Sequence, residues 1–208
     1  TYAIMGEDSQ RLEIALKPSK DLQTIILRKR TAISGRVIDA VTKKPMPGFT
    51  LITGAYFPEH HHGWSGWAWG SAMKISGSSY KYVFEDPVMM GSPDGRPVTP
   101  GFHRLRIEVP DYLPGVSRPI ANEEEQVSID FKLKPHPTIQ GTILNSNGGP
   151  ANGTQIVVAG PGNPVTIRNG QSHDRWDQQI ITTDPQGKYA LPPQEENFPI
   201  AITHTNFG

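Results

Sequence analysis

Residues 58–70, PEHHHGWSGWAWG, place three consecutive histidines before three tryptophans. In an extended segment the side chains of His60 and His62 point to the same side. Such a pair offers two nitrogen ligands that suit zinc or copper. A complete site needs a third and usually a fourth ligand, and no spacing selects among the further candidates, which are Glu59, Asp86 and His103. The preferred interpretation is a solvated loop that holds no metal, and the alternative is a metal carrier or a metal-dependent enzyme.

The candidate ligand-binding residues are Trp64, Trp67 and Trp69. They lie in a long connection, residues 58–79, that is rich in glycine and serine, and connections of this length are often functional. Three interpretations stay open: packing within the domain, stacking against a carbohydrate, and contact with a protein partner. An indole face suits the C–H groups of a sugar ring. We expect an ordered insertion with at least one tryptophan buried and one or two accessible, because three exposed indoles would leave a large apolar area in water.

Motifs for other chemistry are missing from the sequence. There is no cysteine, so neither a thiol nucleophile nor a cysteine metal site is possible. The segment GWSGW departs from the Gly-x-Ser-x-Gly nucleophile motif, and neither a phosphate-binding loop nor a His-Glu-x-x-His pair occurs. We therefore expect no catalytic residues and no cofactor, and we interpret the chain as non-enzymatic.

Charge and hydropathy exclude two classes of partner. Basic and acidic residues number 20 each, so the net charge is zero and no basic field attracts nucleic acid. No apolar run approaches the roughly 20 residues of a membrane-spanning helix. The expected partners are instead a polysaccharide, a protein, or neighbouring repeats of the same chain.

Alternating apolar residues predict the elements that position these groups. The 21 glycines and 20 prolines favour turns and short strands over long helices. Period-two alternation predicts strands with one buried face. The apolar positions that define those faces are Leu12, Ile14 and Leu16; Tyr80, Tyr82 and Phe84; Leu105, Ile107 and Val109; and Val127, Ile129, Phe131 and Leu133.

The chain also repeats itself. AISGRVIDAVTKKPMPGFTLITG, from Ala32, matches TIQGTILNSNGGPANGTQIVVAG, from Thr138, and LRIEVPDY matches IAITHTNF. Self-similarity of this kind indicates an array of like modules. We predict terminal strands of an upstream repeat in residues 1–30, a first repeat in 31–135 that carries the Trp/His-rich insertion, and a truncated second repeat in 136–208. The terminal strands should contain Leu12, Ile14 and Leu16, and then Ile25 and Leu27. Strand pairing should break at the linker near Lys134 to Pro137, because proline cannot donate to a ladder.

These motifs resemble the carboxypeptidase regulatory-like domain family. The resemblance implies a transthyretin-like (prealbumin-like) fold, and hence tandem seven-stranded antiparallel β-sandwich modules that are Ig-like in class. In the peptidases this module is an appendage, which implies a non-catalytic role. The second repeat carries the motifs at Gly141, Ile143, Pro150, Gly153, Thr183, Asp184, Gly187 and Tyr189, and the first repeat matches at Gly35, Val37, Pro45 and Gly48. The first repeat lacks the Thr-Asp-x-x-Gly-x-Tyr element, whose place we assign to SPDGRPVTPGF, residues 92–102.

The function predicted from the sequence is that of a structural or accessory module of a larger bacterial protein, in the periplasm, on the cell surface or secreted. Carbohydrate recognition is the sharpest form of this prediction, since the wider fold group includes sugar-binding modules. The alternatives are a metal site at His60 and His62 and a protein–protein interaction module.

Zinc and copper should bind only weakly, because residues 58–70 fix no third ligand beside the histidine pair. Calorimetry should give at most weak heats, lost only in part when His60→Ala and His62→Ala are combined. Submicromolar affinity that the double variant abolishes would contradict this and favour the metal-dependent alternative.

Overall fold

The structure is a computed structural model. It describes residues 2–4, 9, 12–14, 18, 20, 22–25, 27–58, 64–90, 99–158, 167–168, 171–172, 179–193 and 200–203. The metal candidates His60 and His62 therefore lie outside the described residues, as does Leu16.

The described residues form short β-strands and one 3₁₀ helix, η1, and contain no α-helix. This agrees with the all-β prediction, and none of the described segments is a helix that could cross a membrane. In chain order the elements are β1 Tyr2–Ile4, β2 Leu12–Ile14, β3 Ala32–Asp39, β4 Gly48–Phe57, β5 Trp64–Trp67, η1 Trp69–Ser71, β6 Met73–Ser76, β7 Ser79–Val83, β8 Met89–Met90, β9 Thr99–Pro100, β10 Phe102–Glu108, β11 Gly115–Val116, β12 Ile120–Ala121, β13 Gln126–Ser128, β14 Phe131–Leu133, β15 Ile139–Thr142, β16 Gln155–Val158, β17 Ile167–Arg168, β18 Gln171–Ser172, β19 Gln179–Thr182, β20 Lys188–Leu191 and β21 Ile200–Thr203.

Two sheets in residues 31–135 share one hydrophobic core. The six-stranded sheet runs β11-β10-β4-β5, with β12 also paired to β10 and β6 to β4. The four-stranded sheet has β3 at its centre, paired with β7, β13 and β14. Ile33 and Val37 of one sheet pack in the same core as Leu51, Leu105 and Ile107 of the other. Two sheets that bury their facing side chains in this way form a β-sandwich.

The ladder between β4 and β10 is the longest in the structure's described part. It pairs seven residues in antiparallel register, from Phe102 opposite Tyr56 to Glu108 opposite Thr50. The alternation predicted for HRLRIEV is confirmed, because Leu105 and Ile107 are fully buried while their neighbours are partly exposed.

The prediction of purely antiparallel pairing is wrong at β3. Both β13 and β14 run parallel to β3, because the chain crosses from the six-stranded sheet and enters beside β3 in the same direction. The ladder is interrupted between them without a change of register, and a Cβ at Gly35 would lie 1.8 Å from the Ile129 carbonyl oxygen. That oxygen also accepts a hydrogen bond of 2.8 Å from the Tyr80 hydroxyl. The glycine of the Gly-x-Val motif is thus required by a close backbone approach.

Residues 139–203 reuse the local geometry of residues 33–107. Gly141 pairs with Tyr189 as Gly35 pairs with Tyr80. The equivalent ladder pairs are Ile107↔Leu51 and Ile202↔Ile156, and the equivalent bridges are Ile38↔Pro45 and Leu144↔Pro150. The tyrosine that matches Tyr189 is therefore Tyr80, and our assignment of its element to residues 92–102 is wrong. The 58–79 insertion hid this match, because it separates Tyr80 from the motif spacing of the second repeat.

The Thr-Asp-x-x-Gly-x-Tyr motif of the second repeat forms a turn. The Asp184 Oδ1 atom accepts hydrogen bonds from the amides of Gln186 (2.9 Å) and Lys188 (2.8 Å). Gly187 has φ of 72°, which lies in the left-handed region that glycine adopts without steric cost. Tyr189 is only partly buried. The core of this segment is smaller than that of residues 31–135 and includes Ile156, Val157 and Leu191.

The regular ladder breaks at the linker, as predicted, because β14 ends at Leu133 and β15 begins at Ile139, but isolated bonds still hold the linker. Pro135 bridges Tyr112, and the flanking amides make the bonds: His136 donates to the Asp111 carbonyl at 2.9 Å, and Leu113 donates to the Lys134 carbonyl at 2.9 Å. Pro135 therefore occupies a non-hydrogen-bonded position of the antiparallel pair, where its missing N–H is not needed.

A reciprocal pair of hydrogen bonds fixes the end of the linker. The Asp111 amide donates to Thr138 Oγ1 at 3.0 Å, and the Thr138 amide donates to Asp111 Oδ1 at 3.1 Å. The hydrogen bond with Thr138 is the main cause that lowers the pKa of Asp111. The junction is therefore held by specific bonds and is not a free tether.

The first thirty residues follow the prediction only in part. Leu12 and Ile14 lie in β2, which pairs with β1. Ile25 and Leu27 lie outside any strand, and Leu27 is 36% exposed. The prediction of strands at Ile25 and Leu27 is therefore wrong.

Asn122 joins β12 to the segment after β7. Its side chain is buried, and Oδ1 accepts from the Val88 amide at 2.9 Å while Nδ2 donates to the Val88 carbonyl at 3.1 Å. Nδ2 also lies 3.3 Å from the Gly101 carbonyl. The side-chain amide thus pairs with Val88 as a neighbouring strand would.

Replacing Asn122 with alanine should lower the free energy of unfolding by about 1–3 kcal/mol, because the partly buried Val88 amide loses its partner. The Val88 carbonyl keeps the hydrogen bond that it accepts from the Gly101 amide at 2.8 Å. The exposed Asn152 is the matched control, and Asn152→Ala should change stability by less than about 0.5 kcal/mol. Urea unfolding of both variants measures the difference. Equal stabilities would contradict a structural role for the Asn122 amide.

Candidate functional site

The outer face of the six-stranded sheet carries a row of charged and aromatic residues. In the ladder Arg104 lies opposite Gly54, Arg106 opposite Ile52 and Glu108 opposite Thr50. Because side chains of directly paired residues lie on one face, the three charged residues of β10 share the face opposite the core. The pleat that buries Leu105 and Ile107 in the core places these three residues on the outer face.

Strand β5 places Trp67 on this face. Trp67 pairs with Gly54, and a Cβ at Gly54 would lie 2.5 Å from the Cε3 atom of the indole ring. Only glycine therefore lets the ring lie over the β4 backbone. Trp67 is partly exposed in this position.

The 3₁₀ helix places Trp69 beside Trp67. The Ala68 amide donates to the Thr53 carbonyl at 2.9 Å, which ties the chain to β4 just before Trp69. Trp69 is also partly exposed. The insertion is thus built into the sheet on both sides of the tryptophans, since β6 returns to pair with β4.

Arg106 lies between the two indole rings. Its Cζ atom is 5.3 Å from the centroid of Trp69 and 6.0 Å from that of Trp67. Its Nε atom is 2.7 Å from Glu108 Oε1, and both charged side chains are mostly buried. Cation–π contacts of this kind are worth about 0.5–2 kcal/mol each. The ion pair orients the guanidinium so that both rings can pack against it.

A second guanidinium extends the row. Arg104 Cζ lies 4.3 Å from the centroid of the Tyr56 ring, and Tyr56 in turn contacts Phe102 with ring centroids 6.3 Å apart. We call the set Tyr56, Trp67, Trp69, Arg104, Arg106 and Glu108 the tryptophan face. It alternates flat rings with planar cations across three neighbouring strands.

The structure brings together part of the predicted site. Trp67 and Trp69 both belong to the tryptophan face, and neither is fully buried. Trp64 begins β5 opposite Phe57, and its side chain lies outside what the structure describes. Sequence reasoning missed Arg104, Arg106 and Tyr56 as members of the face. The signal was present, because Arg104 and Arg106 alternate with buried residues in the strand that pairs with β4.

His103 lies on the opposite, inner face of the same strand. It is 3% exposed, and its ring stacks on Phe84 with centroids 3.9 Å apart. The Nε2 atom is buried and makes no hydrogen bond. Burial lowers the pKa of His103 to about 4, so the imidazole is neutral at pH 7.

Two of the residues proposed as further metal ligands meet here. His103 and Asp86 line one cleft together with Glu85. Within the described ranges, however, no group of three or more histidine, aspartate or glutamate side chains could hold a metal ion. His60 and His62 lie outside those ranges, so the metal alternative is left to the calorimetric experiment.

The buried imidazole makes stability depend on pH. The folded pKa of about 4 lies below the usual value of 6.5, so between these values the unfolded chain takes up a proton that the folded chain does not. The contribution of His103 to the free energy of unfolding is fully present above pH 6.5. It decreases by roughly 3 kcal/mol as the pH falls towards 4.

His103→Phe should remove this part of the pH dependence while keeping a ring on Phe84. Urea unfolding at pH 7 and pH 4.5 measures the slope. The neighbouring Ile120→Val is the control, because it should cost about 1 kcal/mol at both pH values and leave the slope intact. An unchanged slope in His103→Phe would contradict the assignment.

Comparison with known proteins gives only loose likenesses. No family model and no curated protein matches the chain. The chain is similar to a mutant of the shaft pilin SpaA from Lactobacillus rhamnosus GG, with 13% identity over 86% of this chain and 88% of that one, and a TM-score of 0.35. It is also similar to a Bacteroides uniformis protein named as a "putative carbohydrate binding protein" (12% identity, 84% and 79% covered, TM-score 0.28). A third likeness is to the streptococcal ancillary pilin (8% identity, 99% and 70% covered, TM-score 0.28). At TM-scores below 0.5 none of these transfers a function to this chain.

Proposed function

We propose that the chain is a non-catalytic accessory module of a larger bacterial surface protein, and that it binds carbohydrate on the tryptophan face. The observation that carries the proposal is the pair of partly exposed indoles, Trp67 and Trp69, placed on either side of Arg106 on the outer sheet face. In this proposal residues 31–135 and 136–208 are tandem sandwich modules, and residues 1–30 belong to an upstream repeat.

The chemistry of the face suits a sugar. The C–H groups of a pyranose pack on the electron-rich face of an indole, and a few fixed polar groups set the orientation of the ligand. Here Arg106 and Glu108 supply a donor and an acceptor held 2.7 Å from each other. Both can bond to sugar hydroxyls without moving far from their present positions.

The same groups do not suit proton transfer. Arginine stays protonated at every physiological pH and has no acceptor, so Arg104 and Arg106 cannot act as general bases. Glu108 is engaged in an ion pair and hydrogen bond with Arg106. These features favour binding over catalysis.

The test is to make Trp67→Ala, Trp69→Ala and the double variant, and to measure binding to a panel of soluble and insoluble polysaccharides. Each single change should weaken binding by about tenfold or more. Each should lower stability by about 1–2 kcal/mol, less than the 3–5 kcal/mol of a fully buried ring. Leu144→Ala removes an apolar side chain that is 57% exposed, and it controls for non-specific adsorption.

Two results would overturn the proposal. The first is a wild-type protein that binds no polysaccharide of the panel. The second is wild-type binding that survives the double variant. In the first case, a loss of 3–5 kcal/mol of stability in each variant would assign the insertion to structural bracing.

A further inference from the structure

Strand β15 has a partner strand on one side and, among the described residues, none on the other. It matches β3, because Gly141 pairs with Tyr189 of β20 as Gly35 pairs with Tyr80 of β7. On its second side β3 carries two parallel strands, β13 and β14. In the described part of the chain, the sheet that contains β15 has β20 as its one other strand. The molecule therefore holds an occupied and an open form of the same sheet edge.

The backbone of β15 presents hydrogen-bonding groups at this open edge. The Ile143 amide donates to the Gly187 carbonyl at 2.8 Å, on the side of β20. Successive residues of a strand point their backbone groups to opposite sides, so the even-numbered residues of β15 face the open edge. The matching residue of Gln140 is Ser34, whose carbonyl accepts a hydrogen bond of 2.9 Å from the Ile129 amide. An edge with such groups is a template for a further strand.

The open edge also leaves an apolar side chain in solvent. Ile139 is 38% exposed, whereas Ile33, at the matching position of β3, is fully buried. Strands β13 and β14 supply Val127, Phe131 and Leu133 to the core that contains Ile33, and Val127 lies directly opposite Ile33 in the ladder. A strand with large apolar residues at alternate positions would cover Ile139 in the same way, and removing that surface from water favours binding.

A tyrosine hydroxyl marks where the added strand would pass. In the occupied edge, the Tyr80 hydroxyl donates to the Ile129 carbonyl at 2.8 Å, directly above Gly35. In the open edge, a Cβ at Gly141 would collide with the Tyr189 hydroxyl, so this hydroxyl lies over β15 at the equivalent point. A carbonyl that entered beside Gly141 would therefore meet a hydrogen-bond donor.

We infer that the open edge of β15 binds an extended peptide segment that runs parallel to β15, with large apolar residues at alternate positions as in residues 127–133. Backbone hydrogen bonds supply the affinity in strand addition of this kind, and the alternate side chains supply the specificity. The occupant is thus a strand of the β13–β14 type. The inference is separate from carbohydrate binding, because the tryptophan face belongs to another sheet.

The experiment titrates the whole chain with a fluorescent peptide of residues 125–134, EQVSIDFKLK. Fluorescence anisotropy should show saturable binding, and hydrogen exchange of the Gln140 and Thr142 amides should become slower when the peptide is bound. The matched control peptide carries Val127→Asn and Phe131→Asn. It should bind at least about tenfold more weakly, because it keeps the backbone and loses the apolar side chains.

Variants of the chain test the edge itself. Gln140→Pro removes an N–H from the open edge and leaves the pairing with β20, since proline is tolerated where the N–H faces solvent. It should weaken binding by about tenfold or more, because a peptide carbonyl loses its donor. Gln140→Ala keeps the N–H and should bind as the wild type does. Tyr189→Phe should weaken binding by about three- to tenfold, because the hydroxyl is lost.

Four outcomes overturn the inference. The first is the absence of saturable peptide binding. The second is binding that a folded Gln140→Pro variant retains. The third is slowed exchange at other amides while those of Gln140 and Thr142 are unchanged, and this measurement on the wild type decides the matter if Gln140→Pro does not fold. The fourth is self-association without peptide binding that Gln140→Pro abolishes, which would assign the edge to a second copy of the chain.

Discussion

The antiparallel ladder between β4 and β10 is the constraint on which the tryptophan face depends. Its seven pairs fix which side chains face the core and which face solvent. Leu105 and Ile107 are fully buried on one side, while Arg104 and Arg106 lie against aromatic rings on the other. Because the side-chain period of a strand is two residues, the core and the tryptophan face cannot be changed independently. Burial of Leu105 and Ile107 determines the register of the ladder, and that register places Arg104 and Arg106 on the outer face.

The insertion is stable because the sheet provides a space for it. Gly54 leaves room above the β4 backbone, and the Trp67 ring occupies that room within 2.5 Å of where a Cβ would stand. Arg106 then gains two aromatic neighbours and an ion pair that together orient a side chain with many rotamers. The tryptophans therefore pack against charged groups and not into the hydrophobic core. This arrangement keeps indole surface accessible without requiring a larger core.

Sequence patterns predicted individual strands and turns better than they predicted which strands pair with each other. Alternation located β10, and the Thr-Asp-x-x-Gly-x-Tyr motif marked the Asp184 turn, since each depends on residues close in the chain. The parallel pairing of β13 and β14 with β3 was not predictable, because it depends on where a crossover returns. The tyrosine partner of Gly35 was misplaced for a similar reason, since an insertion of unknown path separates the motifs. His103 could have been found: it has the same strand parity as Leu105 and Ile107, so the pattern that buries them also buries it.

The register of β5 against β4 decides which of its side chains lie on the tryptophan face. Gly66 lines the inner cleft and Trp67 covers Gly54 on the outer face, and these two residues are consecutive. A shift of β5 by one residue against β4 would turn the indole towards the cleft and leave Gly54 uncovered. The Ala68–Thr53 hydrogen bond and the pairing of β6 with β4 oppose such a shift from the far end of the insertion. The tryptophan face therefore depends on the register of β5 as much as on the indoles that it carries.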